Sequence, residues 1–575
     1  MKKFKRTIAA GLTVTMMGTM VLTGCGQGSS SDGTSGNDAD PSKNTAEQTV
    51  EDQTNSEQAA AGQTDTQQTA AEFTEVSLPL TEEKQTLKIF TKNDVAMMNA
   101  CGGDLNNTPF YKELEERTNV HIEWIVPASG SEREQFNLML SSGELADLMF
   151  ISPTGLNYPD GLDAAIDDGY FLDLTDLLPK YAPNYLAAIE ASSDEVKRGV
   201  VTDSKRYGMM YSIRHYEQPP FCGYVIRQDW LDELGLEAPV TYDDWENMLT
   251  KFKEEKGASA PFSTTAFLIW GLGAGMGAYG DTNNNFYQID GTVYNSLTDN
   301  SENVKEYLTM LNRWYEKGLI DPDFASAPLS SYFGDSVLVT TNSTGAFSTM
   351  YTLPSSLFLP SMEEGASFTA VLPPVKNKGD EIKYRGGSRV NPMEDGWAIS
   401  ADCENPELAI RWVDYLYSEA GALFANYGVE GETYTLNENG EPIYTDIMLK
   451  NPDGLSFDER QRVYTLAPGF PAGYTDYTRD LQGVPEENCK MMDKWSEIGK
   501  DYDYQTYATM TAEENQEYSD LYTDIDTYID ENVLSFITGA KSLDEFDAFI
   551  ETIKGMGIER CKEIKQSALD RYNAR

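Results

Sequence analysis

The chain has 575 residues, 40% of them hydrophobic, and a formal net charge of −49. Nucleic-acid binding needs basic patches, so this charge balance argues against a nucleic-acid partner. The six cysteines are widely spaced without a C-x-x-C pair, and there are only two histidines. This pattern predicts neither a disulfide framework nor a zinc site, and we assign no metal and no cofactor. The length exceeds what one core usually holds, so two or more lobes are expected.

Residues 1–24 have the pattern of a secretory signal, with a basic start and an apolar run too short to span a bilayer. The stretch Leu22-Thr23-Gly24-Cys25 resembles a bacterial lipobox. That resemblance implies cleavage before Cys25 and lipidation of this residue, for example with palmitate. The alternative is a plain secretory signal with an incidental cysteine.

Residues 25–77 are rich in Gly, Ser, Thr, Gln, Asn, Asp and Ala. Such a segment buries too little apolar surface to offset its ordering entropy, so we predict a disordered tether. Anchor and tether together place the folded part at the extracellular face of the cell membrane. A cell without an outer membrane needs such an attachment, so we expect a Gram-positive bacterium.

The first part of the folded region alternates predicted strands and helices. Strands are predicted at residues 86–91, 121–126 and 148–151. Thr108 followed by Pro109 is typical of a helix start. A capping box at residues 131–134 begins a second helix, which ends at Gly143. This alternation predicts an α/β fold with an open sheet.

The rest of the chain is predicted to be mixed and then mostly helical. We predict a strand at 206–213, a strand leading into a short helix over 224–235, helices over 242–256, 301–317 and 405–416, a helix after a capping box at 542–545, and a last helix over 558–572. Asp229 is predicted to cap its helix and Trp230 to pack that helix on the sheet. Four tryptophans have the spacing of core residues: Trp124, Trp245, Trp314 and Trp412.

Six stretches in register carry a family resemblance: residues 135–148, 227–236, 311–323, 405–416, 427–434 and 568–573. Together they resemble the extracellular solute-binding lipoproteins of carbohydrate ABC transporters, of the family 1 type that includes alginate- and oligosaccharide-binding proteins. The resemblance implies an α/β, two-lobed periplasmic-binding-protein-like fold (type II), with a hinge, an interlobe cleft and a helical C-terminal part. It places the first lobe at 78–210 and 385–426, and the second at 211–384 and 427–575.

The same resemblance implies a monomer that is not an enzyme, and that delivers a captured carbohydrate to the permease subunits of an importer. The sequence lacks a Gly-x-Ser-x-Gly elbow and a phosphate-binding loop, which fits this function. One alternative is a surface lipoprotein that processes glycosides with a pair of carboxylates. The other is the same fold binding a peptide or another polar solute.

Sugar sites need flat aromatic rings and fixed polar groups. We predict ring platforms at Trp270, Trp397, Tyr279 and Phe286, and at Phe347 after an expected helix start at 344–345. Lys92, Asn93 and Asp94 follow the first strand, where ligands bind in open α/β sheets. Arg227, Arg389 and Asn391 complete the predicted ligand-binding set. For each of these residues the alternative is core packing or a solvated loop.

A calcium site known in some of these relatives is predicted to be absent. It follows the helix that corresponds to residues 242–256, and here that place reads Gly257-Ala-Ser-Ala-Pro261, without ligands. Asp281, Asn283 and Asn285 do alternate oxygen-bearing side chains. The pattern favours a polar surface turn there, and calcium binding near Asp281 stays open.

Overall fold

The computed structural model describes residues 73–152, 155–215, 218–266, 268–280, 285–327, 333–386, 390–450, 454–466 and 473–575. These residues belong to one compact unit, Gln67–Arg575. No helix in the described ranges is long and apolar enough to cross a membrane. In the same ranges, His, Cys, Asp and Glu side chains form no group that could hold a metal ion. Cys101, Cys222, Cys403, Cys489 and Cys561 are free thiols.

The strands in chain order are β1 (Gln85–Phe90), β2 (Val120–Ile125), β3 (Leu148–Ile151), β4 (Met210–Arg214), β5 (Cys222–Arg227), β6 (Phe286–Ile289), β7 (Thr292–Asn295), β8 (Ala346–Met350), β9 (Phe368–Val371), β10 (Met393–Ile399), β11 (Tyr434–Leu436), β12 (Pro442–Tyr444) and β13 (Tyr474–Thr475).

The helices are α1 (Val95–Ala100), α2 (Pro109–Thr118), α3 (Glu132–Ser142), α4 (Gly161–Asp167), α5 (Leu178–Tyr181), α6 (Pro183–Glu190), α7 (Asp194–Gly199), α8 (Gln228–Leu234), α9 (Tyr242–Glu254), α10 (Ser296–Asp299), α11 (Ser301–Glu316), α12 (Ser336–Thr340), α13 (Pro406–Tyr415), α14 (Glu419–Tyr427), α15 (Asp446–Leu449), α16 (Phe457–Tyr464), α17 (Thr478–Leu481), α18 (Glu486–Trp495), α19 (Ala512–Thr538), α20 (Phe546–Met556) and α21 (Ile558–Asn573).

Two sheets organise the two lobes. The first sheet has the strand order β13-β4-β10-β3-β1-β2, and the second has the order β8-β5-β9. In the first sheet β1 is parallel to β2 and β3, whereas β10 runs antiparallel to β3 and β4. In the second sheet β5 is antiparallel to both neighbours. The predicted α/β two-lobed fold is therefore confirmed.

The chain runs between the sheets at three places. It leaves the first sheet after β4 to enter β5, and it returns from β9 to β10. It leaves again after β13, and α18 then packs on the second sheet, where the Trp495 indole N–H donates to the Tyr224 carbonyl at 3.1 Å. Because β13 pairs with β4, residues 474–475 lie in the first sheet, although the sequence placed 427–575 with the second lobe. The other lobe boundaries stay a prediction.

Local signals explain most of the elements. The Thr108 hydroxyl accepts the Tyr111 N–H at 3.2 Å and Pro109 begins α2, as predicted. Gly143 ends α3 with φ 72°, a left-handed conformation that favours glycine. The predicted helices over 242–256, 301–317, 405–416 and 558–572 correspond to α9, α11, α13 and α21.

Several local predictions are wrong. Ser131 makes no side-chain cap on α3, because its hydroxyl donates to the Ala128 carbonyl at 2.7 Å. Asp229 does not cap α8, since its carboxylate accepts hydrogen bonds from Arg227. Residues 344–345 precede strand β8 and not a helix. Ser542 opens a 3-10 turn, Leu543–Glu545, before α20.

The end of the predicted tether packs against the fold. The Phe73 ring lies edge-on to Tyr474, with 5.6 Å between centroids. The Thr74 N–H donates to Oδ1 of buried Asn184 at 2.7 Å. The disorder predicted up to residue 77 is therefore wrong for residues 73–74, because the ring finds an aromatic partner and the amide a buried acceptor.

The tryptophan predictions are largely confirmed. Trp245, Trp314 and Trp412 are buried in the main core, as the helical spacing indicates. Trp230 packs edge-on against Phe252 at 5.1 Å, which ties α8 to α9. Trp124 is only half-buried, and its indole N–H donates to Asn106 Oδ1 at 3.1 Å.

Candidate functional site

One edge of the first sheet collects the loops that follow its parallel strands. The registers Gly396↔Ile151 and Met393↔Ile213 place the start of β10 at the same edge as the ends of β3 and β4. The ends of β1 and β13 lie there too, because these strands are parallel to β3 and β4. We call this the site edge, since ligands of open α/β sheets bind outside the carboxyl ends of strands.

The predicted residues after β1 lie at the site edge and are engaged in local contacts. The Lys92 ammonium lies 3.4 Å from Asp395 Oδ2 and 5.2 Å from the centre of the Phe150 ring. The Asn93 amide donates to the Pro127 carbonyl at 2.8 Å. Asp94 caps α1 by accepting the Met97 N–H at 2.9 Å.

A second ion pair joins this loop to α16. The free oxygen of Asp94 is paired with Arg462, whose guanidinium also reaches Asp458 at 2.8 Å. The Arg462 side chain keeps about 20% of its surface exposed. The Asp94–Arg462 ion pair therefore holds the start of α1 against α16, and part of the Arg462 side chain faces solvent.

Arg214, at the end of β4, connects the passages between the lobes. Its guanidinium is paired with Glu394 and hydrogen-bonded to Gln218, and its Nε donates to the Asn391 carbonyl at 2.9 Å. The predicted site residue Asn391 accepts the Thr506 hydroxyl at 3.2 Å through Oδ1. Gln218 and Asn391 belong to the first two passages, and Thr506 belongs to the segment after α18. The network therefore ties three separate parts of the chain together at the hinge.

His215 directly follows β4 and lies at the site edge beside β13. Its ring lies edge-on to Tyr474 with 4.5 Å between centroids. Burial lowers the pKa of His215, and the nearby Asp476 carboxylate offsets only part of this effect. His215 is therefore neutral at pH 7.

The second sheet presents aromatic rings at its own interlobe edge. The register Cys222↔Met350 places the start of β5 and the end of β8 together. The Tyr351 N–H donates to the Phe221 carbonyl at 2.9 Å, and Phe221 lies edge-on to Phe333 at 6.3 Å. Our sequence-based site set omitted Phe221. The signal that could have indicated Phe221 is its place directly before a strand in the passage between lobes.

Four of the predicted aromatic platforms are buried. Trp397 is 1% exposed and lies edge-on to Phe150 at 6.2 Å, and Trp270 is 5% exposed beside Tyr307. Phe286 packs against Tyr518 and Tyr522 of α19. Phe347 packs between Phe358 and Phe368 in the second sheet's core. Their role as sugar platforms stays a prediction.

Tyr279 is half-buried within a group of tyrosines. Its ring centroid lies 4.7 Å from that of Tyr287, 5.3 Å from Tyr384 and 5.7 Å from Tyr502. Burial raises the pKa of the Tyr279 phenol, which keeps it neutral. Because Tyr384 belongs to the passage between β9 and β10, this group lies beside the hinge.

Arg227 is fully engaged within the second lobe. Its guanidinium is 1% exposed, contacts both Asp229 oxygens at 2.8 and 2.6 Å, and reaches Glu363 at 2.7 Å. It also stacks on Trp230, 4.6 Å from the ring centre. These contacts give Arg227 a structural role in the second lobe. Its contact with a ligand stays a prediction.

Three residues singled out from the sequence lie outside the described ranges: Arg389, Asp281 and Asn283. Asn285 is described and buried, so it does not belong to the surface turn that the pattern favoured.

The chain matches the bacterial extracellular solute-binding protein family over residues 106–423. This match covers more than half of the chain, and the protein belongs to that family. Over 532 residues it is 24% identical to the fructooligosaccharide ABC transporter substrate-binding protein FusA of Streptococcus pneumoniae, covering 87% of this chain and 92% of FusA. It is also 25% identical to lipoprotein LipO of Bacillus subtilis over 264 residues, covering 44% of this chain and 48% of LipO.

Solved structures show the same fold. The alginate-binding protein AlgQ2 superposes with a TM-score of 0.64 at 24% identity, covering 85% of this chain and 99% of AlgQ2. An HMO-binding, ABC-transporter-associated solute-binding protein of Bifidobacterium longum infantis gives a TM-score of 0.69 at 19% identity, covering 85% of this chain and 99% of that protein.

Proposed function

We propose that the protein is a membrane-anchored extracellular solute-binding protein that captures an oligosaccharide between its lobes and delivers it to an ABC importer. The observation that carries this proposal is the similarity to FusA, which covers 87% of this chain and 92% of FusA. The match therefore includes both sheets and the passages between them. FusA is named for binding fructooligosaccharides, so a sugar of several units is the ligand that this similarity supports.

Both sheets have groups at their facing edges that a bound sugar could contact. The site edge of the first sheet offers polar groups, and the second sheet offers the partly exposed ring of Phe221. A ligand that touches both lobes only when they approach each other shifts the population towards the closed state. A micromolar ligand supplies about 8 kcal/mol for this shift. The permease would recognise the closed shape.

Calorimetry on the lipid-free protein tests the binding function. We expect an oligosaccharide from a panel of mono- and oligosaccharides to bind with a micromolar dissociation constant and to be recovered unchanged. Release of shorter sugars during the titration would favour a glycoside-processing enzyme. Binding of peptides and of no sugar would favour the same fold with a different ligand.

Attachment through Cys25 is the second part of the proposal, and the lipobox-like stretch supports it together with the similarity to lipoprotein LipO. We expect Cys25→Ser to release the folded protein into the medium, since a single lipidated residue would provide the attachment. Membrane and medium fractions measure the release. Full retention of the variant would contradict the anchor.

A further inference from the structure

Four cations of the site edge are already paired with the protein's own carboxylates. Lys92 is paired with Asp395, and Arg462 with Asp94 and Asp458. These pairs are partly exposed, so a ligand meets the pair and not a free positive charge.

The same holds on the β4 side of the edge. Arg214 is paired with Glu394, and Arg479 lies 3.3 Å from Asp480. Arg479 also donates to backbone carbonyls of α14 and of the segment after α16, so it is committed to the fold. His215 adds no charge, because burial lowers its pKa.

Charge counting at the site edge gives an excess of carboxylates. The cations are Lys92, Arg133, Arg214, Arg462 and Arg479, and the carboxylates are Asp94, Glu132, Glu134, Glu394, Asp395, Asp458, Asp476 and Asp480. Arg133, at the start of α3, donates to the Gly155 carbonyl in the loop after β3. Asp476 follows β13 and accepts the Thr478 N–H and hydroxyl, so in the described part of the chain no cation is paired with it. An anion brought to this edge would face an excess of like charges, and Arg133 is the cation there that has no carboxylate partner within the described ranges.

Arg460 is the second cation of α16, beside Arg462. It is 3% exposed, and its Nε and Nη1 have no partner within the described ranges. It lies two residues from Arg462 and so points to the opposite side of the helix. Phe457 and Tyr464, at i−3 and i+4, share its side and pack against the buried group around Tyr444. Arg460 therefore faces the interior and away from Asp94.

The internal residues outside the described ranges add little positive charge. Their sequence contains one cation, Arg389, and three carboxylates, Glu217, Asp281 and Asp453. Whatever their positions, they do not turn the excess of carboxylates into an excess of cations.

We infer that the ligand class of this site is an uncharged oligosaccharide, and that the site edge discriminates against uronates and other anionic sugars. This inference rests on the proposed function. Ion-paired carboxylates retain lone pairs that accept hydrogen bonds from sugar hydroxyls, and such bonds to a charged acceptor are strong. Asp395 and Glu394 keep 22% and 33% of their side-chain surface exposed for this purpose.

The test compares neutral and acidic oligosaccharides of equal length on the full chain carrying Cys25→Ser, with fructo-oligosaccharides and oligogalacturonates as probes. At pH 7.5 we expect the best neutral sugar to bind at least a hundredfold more tightly than any oligogalacturonate. The dissociation constant of the neutral complex should change less than about twofold between low and high salt, because no net charge is transferred.

Charge variants make the inference sharper. Asp395→Asn frees Lys92, so it should raise the ratio of acidic to neutral affinity at least tenfold. Lys88→Gln, which removes a cation whose ammonium has no described carboxylate partner, is the matched control and should leave that ratio unchanged.

Each remaining outcome is decisive. Tighter binding of the acidic sugar would overturn the inference while leaving the proposed function in place. Loss of that binding in Arg133→Gln, Arg389→Gln or Arg460→Met would identify the cation that receives the acidic sugar. An unchanged ratio in Asp395→Asn would also overturn the inference. Binding of neither sugar class would remove the proposed function and this inference with it.

Discussion

Replacing Arg227 by methionine separates a structural role from a ligand contact. The guanidinium is 1% exposed and holds two carboxylates, those of Asp229 and Glu363, at 2.6–2.8 Å. Removing one partner of a buried ion pair leaves uncompensated charge and costs about 3–5 kcal/mol. We therefore expect Arg227→Met to lower the free energy of unfolding by roughly this amount in urea denaturation.

Glu363→Gln is the matched control for this experiment. The Glu363 side chain is 49% exposed, and the contact of Arg227 with Asp229 survives the change, so we expect a loss of about 1 kcal/mol or less. For the folded fraction of Arg227→Met, the sugar dissociation constant should stay within about twofold of the parent value. Equal stability of the two variants, together with at least tenfold weaker binding by Arg227→Met, would refute the structural role.

Four further substitutions test burial, titration and close packing. Trp397→Ala and Trp270→Ala should each lower the free energy of unfolding by about 3–5 kcal/mol, measured in urea, and a negligible loss would instead favour ligand platforms. Burial raises the pKa of Asp414 from 3.8 to about 6, so its contribution to stability is complete below pH 3.8 and is lost as pH rises through 6. The stability of Asp414→Asn relative to the parent should therefore rise between pH 4 and pH 7, and a pH-independent difference would contradict this. Gly396→Ala should destabilise the first sheet, because a Cβ there would lie 2.3 Å from the Met210 carbonyl oxygen; unchanged melting would contradict the register.

The helices and strands of the first lobe could be predicted from the sequence because the features that indicate them are local. Apolar runs identify β1 and β3, and Thr108 with Pro109 identifies the start of α2. A capping residue, a proline and a periodic apolar stripe all act within one or two turns of a helix. Such features depend only on neighbours in the chain, so they were predictable.

The candidate site is less predictable because its contacts join distant parts of the chain. Arg227 meets Glu363, which is 136 residues away, and Asp94 meets Arg462, which is 368 residues away. Asp229 is near Arg227 in the sequence, but nothing near it indicates the distant contact with Glu363 that completes the partners of the guanidinium. Whether a tryptophan such as Trp397 packs in a core or lines a cleft is likewise decided by the sheet that covers it, and not by its neighbours in sequence.

The hinge network around Arg214 links the ligand to the conformational change. The Arg214 guanidinium contacts Gln218 on the first passage and the backbone of Asn391 on the second, while the Asn391 side chain contacts Thr506 in the segment after α18. Any rotation of one lobe against the other must therefore move these passages together or break hydrogen bonds to a charged group, each worth about 1.5–3 kcal/mol. Apparent affinity falls with the fraction of molecules in the binding-competent state. The strength of this network, which lies beside the site edge, thus contributes to sugar affinity as directly as the groups that would touch the sugar.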